Sequence, residues 1–214
     1  MSDTVVDRAE GSGEDSNSWE PASTRALLIV DVQPTFCEGG ALGVEGGNAV
    51  ARKIADFVER NRDNYALIVT TQDWHIEPGD HFSDTPDFVD SWPPHGVAGT
   101  PEAELHPAIA ALGVDASVKK GQYAAAYSGF EGHDDADRPL ADILEEAGIT
   151  SVDVVGLAES HCVKDTALDA LSKFEEVRVF SDLTKPVSED QGEHARTVLH
   201  GAGVEQLESD NAWL

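Results

Sequence analysis

The sequence predicts an α/β fold of three αβα layers, in which helices cover both faces of a doubly wound, mainly parallel sheet. Two patterns carry this prediction. Short continuous apolar runs recur along the chain, and stretches with helical spacing separate them, the alternation that yields parallel strands joined by right-handed crossovers. A third observation agrees with it. Residues able to do chemistry stand just after several of the runs, and ligands in such sheets sit beyond the carboxyl ends of the strands.

From the amino terminus, residues 1–24 are rich in Ser, Asp, Glu and Gly with almost no apolar periodicity. Burial cannot offset the entropy of ordering such a segment, so an acidic flexible arm is expected there, followed by a single domain over 25–214. The first strand is expected at Ala26-Leu27-Leu28-Ile29-Val30, a run that suits a strand covered on both faces. Val50, Ile54, Phe57 and Val58 then form a helical stripe. Residues 66–69 read as the second strand and 116–118 as the third. Leu140, Ile143, Leu144 and Ala147 make another stripe, ended by Gly148. Residues 152–155 give a fourth strand, Val163, Ala167, Ala170 and Leu171 a third helix, 177–180 a fifth strand, and about 188 to 201 a fourth helix.

Acidic residues number 41 against 14 Lys plus Arg, a formal net charge of −27. Few of the acids lie in residues 1–24 (Asp3, Asp7, Glu10, Glu14, Asp15 and Glu20), so the excess is spread over the folded surface. This argues against nucleic acid or a membrane as partner, because phosphate binding needs clustered Lys and Arg. Self-repulsion of this size destabilises a compact state at low salt, whereas near 1 M salt the Debye length falls to about 3 Å. A salt-adapted cytoplasmic protein is expected. Its melting temperature should rise from low to multimolar KCl, and indifference to KCl would remove this reading. Two cysteines, Cys37 and Cys162, allow at most one bridge and fit a reducing cytosol. The polar start does not resemble a signal peptide, and no apolar run approaches the roughly 20 residues that span a bilayer.

Asp73-Trp74-His75, His81 and Trp92-Pro93-Pro94-His95 gather three imidazoles and a carboxylate in a stretch whose prolines forbid a regular helix. Imidazole is the commonest ligand of borderline divalent ions, and mixed nitrogen and oxygen donors suit zinc, iron and manganese alike. Asp73, His75, His81 and His95 are therefore candidate ligands of one divalent metal ion. His106, His133, His194 and His200 lack such neighbours and read as surface residues.

Asp31 follows the first strand, Asp73 the second, Lys120 the third and Gly156 to Cys162 the fourth, so one sheet edge should collect them. Cys162 alone would read as a buried structural cysteine. Its place at the start of a helix, where free N–H groups and the dipole favour an anion, makes it a candidate nucleophile. Asp31 becomes the candidate base for its proton. Lys119 competes with Lys120; Gly121 after the second favours Lys120, whose ammonium should lower the pKa of both Asp31 and Cys162. Phe36, Trp92 and Tyr127 are either core or the walls of a slot for a flat ring.

Together these segments resemble the nicotinamidase/pyrazinamidase branch of the isochorismatase-like hydrolases, from about Arg25 to Leu207. The resemblance rests on Leu27 to Gln33 with Phe36-Cys37-Glu38-Gly39-Gly40, on Gln72 to Ile76 with Gly79 to Phe82, and on Trp92-Pro93-Pro94-His95. Lys120-Gly121, Ala126 to Phe130 and Gly156-Leu157-Ala158 leading to Cys162 complete it. It implies a catalytic triad of Asp31, Lys120 and Cys162, and metal ligation by Asp73, His75, His81 and His95. It also implies a cis peptide at Leu157–Ala158, with Ala158 and Cys162 as oxyanion donors. Phe36, Trp92, Tyr127 and His161 would contact the substrate.

The implied reaction is hydrolysis of nicotinamide, and of pyrazinamide, through a cysteine thioester by a monomer or homo-oligomer. The alternative is another cysteine amidohydrolase of the superfamily acting on a ureido or carbamoyl compound. Pro34-Thr35 stands where the family has Asn-Asp, Gly96 where cysteine is common, and Glu159-Ser160 where Thr-Asp is typical. None of these departures removes a catalytic or metal group.

Overall fold

A computed structural model describes residues 23–214, so all but the last two residues of the expected arm lie outside the described residues. The chain runs β1 (Arg25–Val30), α1 (Gly47–Asn61), β2 (Leu67–Asp73), α2 (Pro107–Ala110), β3 (Ala116–Lys120), α3 (Leu140–Glu146) and β4 (Ser151–Leu157). It continues through α4 (Lys164–Ala170), β5 (Glu176–Lys185), α5 (Glu189–Ala202) and β6 (Glu205–Leu207). All six strands pair in parallel in the order β3-β2-β1-β4-β5-β6, the doubly wound sheet expected from the sequence.

The apolar run of β1 is explained by the layers. Leu27 and Ile29 enter a core with Val50, Ile54 and Phe57 of α1 and Ile109 of α2. Ala26, Leu28 and Val30 enter the opposite core with Leu140 and Leu144 of α3, Ala167 of α4 and Leu199 of α5. Side chains alternate across a strand, so only a continuous apolar run can feed two cores.

Helix ends are set by side chains and by one glycine. The Glu38 carboxylate accepts the N–H groups of Gly46 and Asn48, each at 2.8 Å, at the start of α1, and the bond from Asn48 leads the causes that hold its pKa near 2. Ser188 caps α5, and Gly203 closes it with its N–H on the carbonyls of Leu199 and His200. His106 is half-buried rather than a surface residue: its Nδ1 accepts the Ala108 N–H and caps α2. His133 is half-buried as well, its backbone paired with Lys119.

The strand order also fixes where a ligand can sit. The chain winds outward from β1 to β3, then returns to place β4 on the other side of β1. Crossovers diverge at that reversal and leave a crevice beyond the strand ends. There Val30 pairs with Gly156, whose φ is +121° and whose missing Cβ would lie 2.1 Å from the Val30 oxygen. Only glycine permits this approach. Among the described residues no helix is long and apolar enough to cross a membrane.

Candidate active site

Asp31, just after β1, and Cys162, after β4, both approach the ammonium of Lys120, the last residue of β3. Lys120 is wholly buried. Its Nζ lies 2.9 Å from Asp31 Oδ2, 2.9 Å from the Ala126 carbonyl and 3.7 Å from Cys162 Sγ, and it also pairs with Asp73 Oδ1. Strand alternation decides between the two lysines. Lys120 shares the buried face of β3 with Val118, while Lys119 turns outward to Asp135 and the Trp74 ring. Thr71 Oγ1 donates to Asp31 Oδ1 at 2.6 Å, which leaves Oδ2 paired with Lys120 but without an aligned hydrogen bond.

Lys120 does pull the pKa of both Asp31 and Cys162 down, as expected, but burial outweighs it and the net shift of each is upward. Burial raises the Asp31 carboxyl, and the opposing charge of Lys120 does not outweigh it. Burial likewise drives the Cys162 thiol well above its ordinary value, against the pull of Lys120 and with Asp31 and Asp73 adding to the rise. Burial alone would discharge Lys120, yet the carboxylates of Asp31 and Asp73 hold its ammonium well above the ordinary lysine value. Asp73 is the net beneficiary: burial opposes its charge, but Lys120, His75 and His95 keep it well below the carboxylate range. Burial thus favours the thiol form of Cys162 over the thiolate, and the Asp31 carboxylate adds to that preference. Cys162 stands inside a π-helical turn, Glu159–Val163, rather than at the bare start of a helix, and the Leu157–Ala158 peptide is cis.

The second cluster is made of imidazoles. His75, His81 and His95 are all buried, and their ligand nitrogens lie within 4.8 Å of one another. Each Nδ1 faces a backbone carbonyl: Gly121 at 2.6 Å, Asp90 at 3.3 Å and Pro93 at 2.8 Å. This fixes the tautomer with Nε2 unprotonated, the usual arrangement behind a metal-binding histidine. His75 Nε2 is buried without a hydrogen-bond partner, and Asp73 Oδ2 lies 3.5 Å from it and 3.7 Å from His95 Nε2. An orphaned buried nitrogen is costly unless something takes its lone pair, so this donor set fits a divalent ion.

The two clusters share a cavity of about 270 Å³ lined by Phe36, Asp73, His81, Trp92, His95, Ala126, Tyr127, Ala158, His161 and Cys162, among others. A cavity of about 150 Å³ already holds benzene in another protein, so this one takes a single ring with a small substituent. Asp31, Lys120 and His75 stand behind its wall. Trp92 is fixed by its Nε1 donating to Tyr127 Oη at 3.0 Å, and its ring meets that of His161 edge-on at 5.5 Å.

Several supporting residues had no structural role assigned to them from sequence. Gln33 grips the backbone of Asp73, accepting its N–H and donating to its carbonyl, both at 2.9 Å. Phe82 stands behind the imidazoles, 5.1 Å from the His75 ring and 5.3 Å from that of His95. Gly121, at φ +73°, leaves room for His75, since a Cβ would lie 2.6 Å from His75 Cε1. Leu42 and Phe88 reach the cavity from the segments that follow Phe36 and His81, and Val187 from the segment between β5 and α5. The signal for Gln33, Phe82 and Gly121 was their place beside Asp31, His81 and Lys120; Leu42, Phe88 and Val187 carry no local mark.

The Isochorismatase domain family matches residues 25–210. The chain is 50% identical over 181 residues to the nicotinamidase/pyrazinamidase of Mycobacterium tuberculosis, covering 85% of this chain and 97% of that one. It superposes on the pyrazinamidase of Pyrococcus horikoshii in complex with zinc with a TM-score of 0.72 at 34% identity, covering 86% and 99% of the two chains. A structure from L. infantum in complex with nicotinate gives a TM-score of 0.75 at 32% identity, covering 88% and 94%. With half of the 181 aligned residues shared with one such enzyme and its fold shared with the others, the chain belongs to the isochorismatase-domain family, in its nicotinamidase/pyrazinamidase branch.

Proposed function

We propose that this protein is a nicotinamidase, hydrolysing nicotinamide to nicotinate and ammonia and accepting pyrazinamide as well. The observation that carries the reading is the meeting of Asp31, Lys120 and Cys162 beside three imidazoles at one ring-sized cavity. The 50% identity to a nicotinamidase/pyrazinamidase supports the substrate.

Asp73, His75, His81 and His95 would hold zinc, iron or manganese, which when bound supplies a Lewis-acidic partner for the pyridine nitrogen. Phe36 and Trp92 flank the ring, with Tyr127 and His161 completing the walls, and the carboxamide turns toward Cys162. Asp31 takes the thiol proton as Sγ attacks the carboxamide carbon. Proton transfer accompanies the attack, in keeping with the upward shift that burial gives the Cys162 thiol. The backbone N–H groups of Ala158 and Cys162 receive the oxyanion, at roughly 3–4 kcal/mol for each such donor. Asp31 then gives the proton to the departing nitrogen, the C–N bond breaks, and ammonia leaves a thioester. Water adds to the thioester carbon with its proton passing to Asp31, the C–S bond breaks, and nicotinate and the thiol are restored.

The test is ammonia release from nicotinamide, pyrazinamide and ureido compounds by purified protein in high salt with each metal in turn. Turnover of the two aromatic amides is expected. Turnover of the ureido compounds alone would transfer the chain to the alternative substrate class. Chelation is expected to raise KM far more than it lowers kcat, because the ion's work here is orientation; equal losses in kcat and kcat/KM would assign it to the transition state instead.

A further inference from the structure

The turn that carries Cys162 is bound on its outer side by α5, a helix that contributes no residue to the cavity. Glu159 opens that turn with its side chain only 4% exposed, and its Oε2 accepts a bond from Arg196 Nη1 at 2.9 Å. Among the described residues Arg196 is the one cation hydrogen-bonded to it. Arg196 is held in place by a second acid, Glu189. It also passes through a gap made for it: Gly192 lies one helical turn earlier, and a Cβ there would come within 2.9 Å of Arg196 Nη1 and 2.8 Å of Pro186 Cγ. Glycine inside a helix is destabilising relative to alanine, so this gap is held against helix propensity. A second tie runs in parallel, from the Val187 N–H to Ser160 Oγ at 3.2 Å.

We propose that Glu159 and Arg196 are positioning residues for the nucleophile, joining its turn to α5 and so fixing where Cys162 Sγ stands relative to Asp31. The inference rests on the reading of Cys162 as the attacking group. Its physical basis is asymmetric. Loss of the cation alone strands a buried carboxylate three residues before the nucleophile, which then takes up a proton and loses its tie to α5 or draws the turn toward water, and either outcome releases the turn. Loss of both charges leaves a neutral, packed contact.

The experiment uses metal-loaded protein in high salt and compares wild type, Arg196→Met, Glu159→Gln with Arg196→Met, and Gly192→Ala. It reads kcat and KM for nicotinamide and the rate at which iodoacetamide alkylates Cys162, resolved from Cys37 by peptide mass. Arg196→Met should lower kcat by about 10- to 100-fold with KM little changed, the scale expected when a reacting atom is displaced by about 1 Å. The same variant should alkylate faster at Cys162 because the turn has loosened. The double variant should recover most of both effects, a rescue that a merely structural role would not produce. Gly192→Ala keeps every charge and favours the helix, yet it should slow turnover by pushing the guanidinium off Glu159; it serves if Arg196→Met fails to fold.

Unchanged kcat in Arg196→Met and Gly192→Ala would overturn the proposal, as would a double variant no faster than the single. Should wild type leave nicotinamide intact, the substrate reading fails on its own, and the alkylation series still decides the pairing.

Discussion

Replacement of Cys162 by alanine is expected to lower nicotinamide hydrolysis at least about 10,000-fold, the scale seen when a nucleophile is removed from a catalytic unit, while the protein keeps its fold and its metal. Cys162 contributes no atom to the imidazole cluster, so metal content measured on the purified variant should equal that of wild type. No other thiol can substitute. Cys37 is 1% exposed in the core beneath α1, and burial, with Glu38 adding to it, pushes its thiol up to about 11. Retained turnover would refute the nucleophile assignment. Lost turnover accompanied by lost metal would mean that the substitution damaged the site as a whole.

Lys120→Met is expected to be the most destabilising single substitution at the site. It removes the one ammonium that joins two buried carboxylates, those of Asp31 and Asp73, while keeping most of the side-chain volume. Breaking a buried pair in this way costs about 3–5 kcal/mol, because the remaining charge is left uncompensated. For a chain of this size that corresponds to a fall in melting temperature of roughly 6–20 °C, accompanied by loss of activity. Melting followed by circular dichroism in high salt provides the check. A melting temperature equal to that of wild type would mean that the carboxylates do not depend on Lys120 for their charge.

The parts of the fold that were legible are those whose signal is local. β1 could be read from Ala26 to Val30 because each residue serves one of two cores, and α3 could be ended at Gly148 because its φ of +67° suits glycine. β6 escaped notice: it is three residues long, Glu205–Leu207, and none of them is fully buried, so no apolar run marks it. α2 is a single turn of four residues with too little length for a period to appear.

The candidate site was legible for a different reason. Its residues stand at or shortly after strand ends or in one proline-rich loop, so parallel topology brings Asp31, Asp73, Lys120 and Cys162 to one edge whatever the details of packing. Electrostatics was not legible in the same way. The direction of the Asp31 and Cys162 shifts depends on their deep burial and on Lys120 being shared with Asp73, and neither follows from spacing. Nor does the contact from Arg196, which reaches Glu159 from a helix 37 positions along the chain.

The most direct test of the account is to quench the reaction of metal-loaded protein with nicotinamide and to map the mass of its peptides. A nicotinoyl group is expected on Cys162, appearing with ammonia release and disappearing as nicotinate forms. Ammonia release with Cys162 unmodified at every quench time, or an acyl group on Cys37, would contradict it.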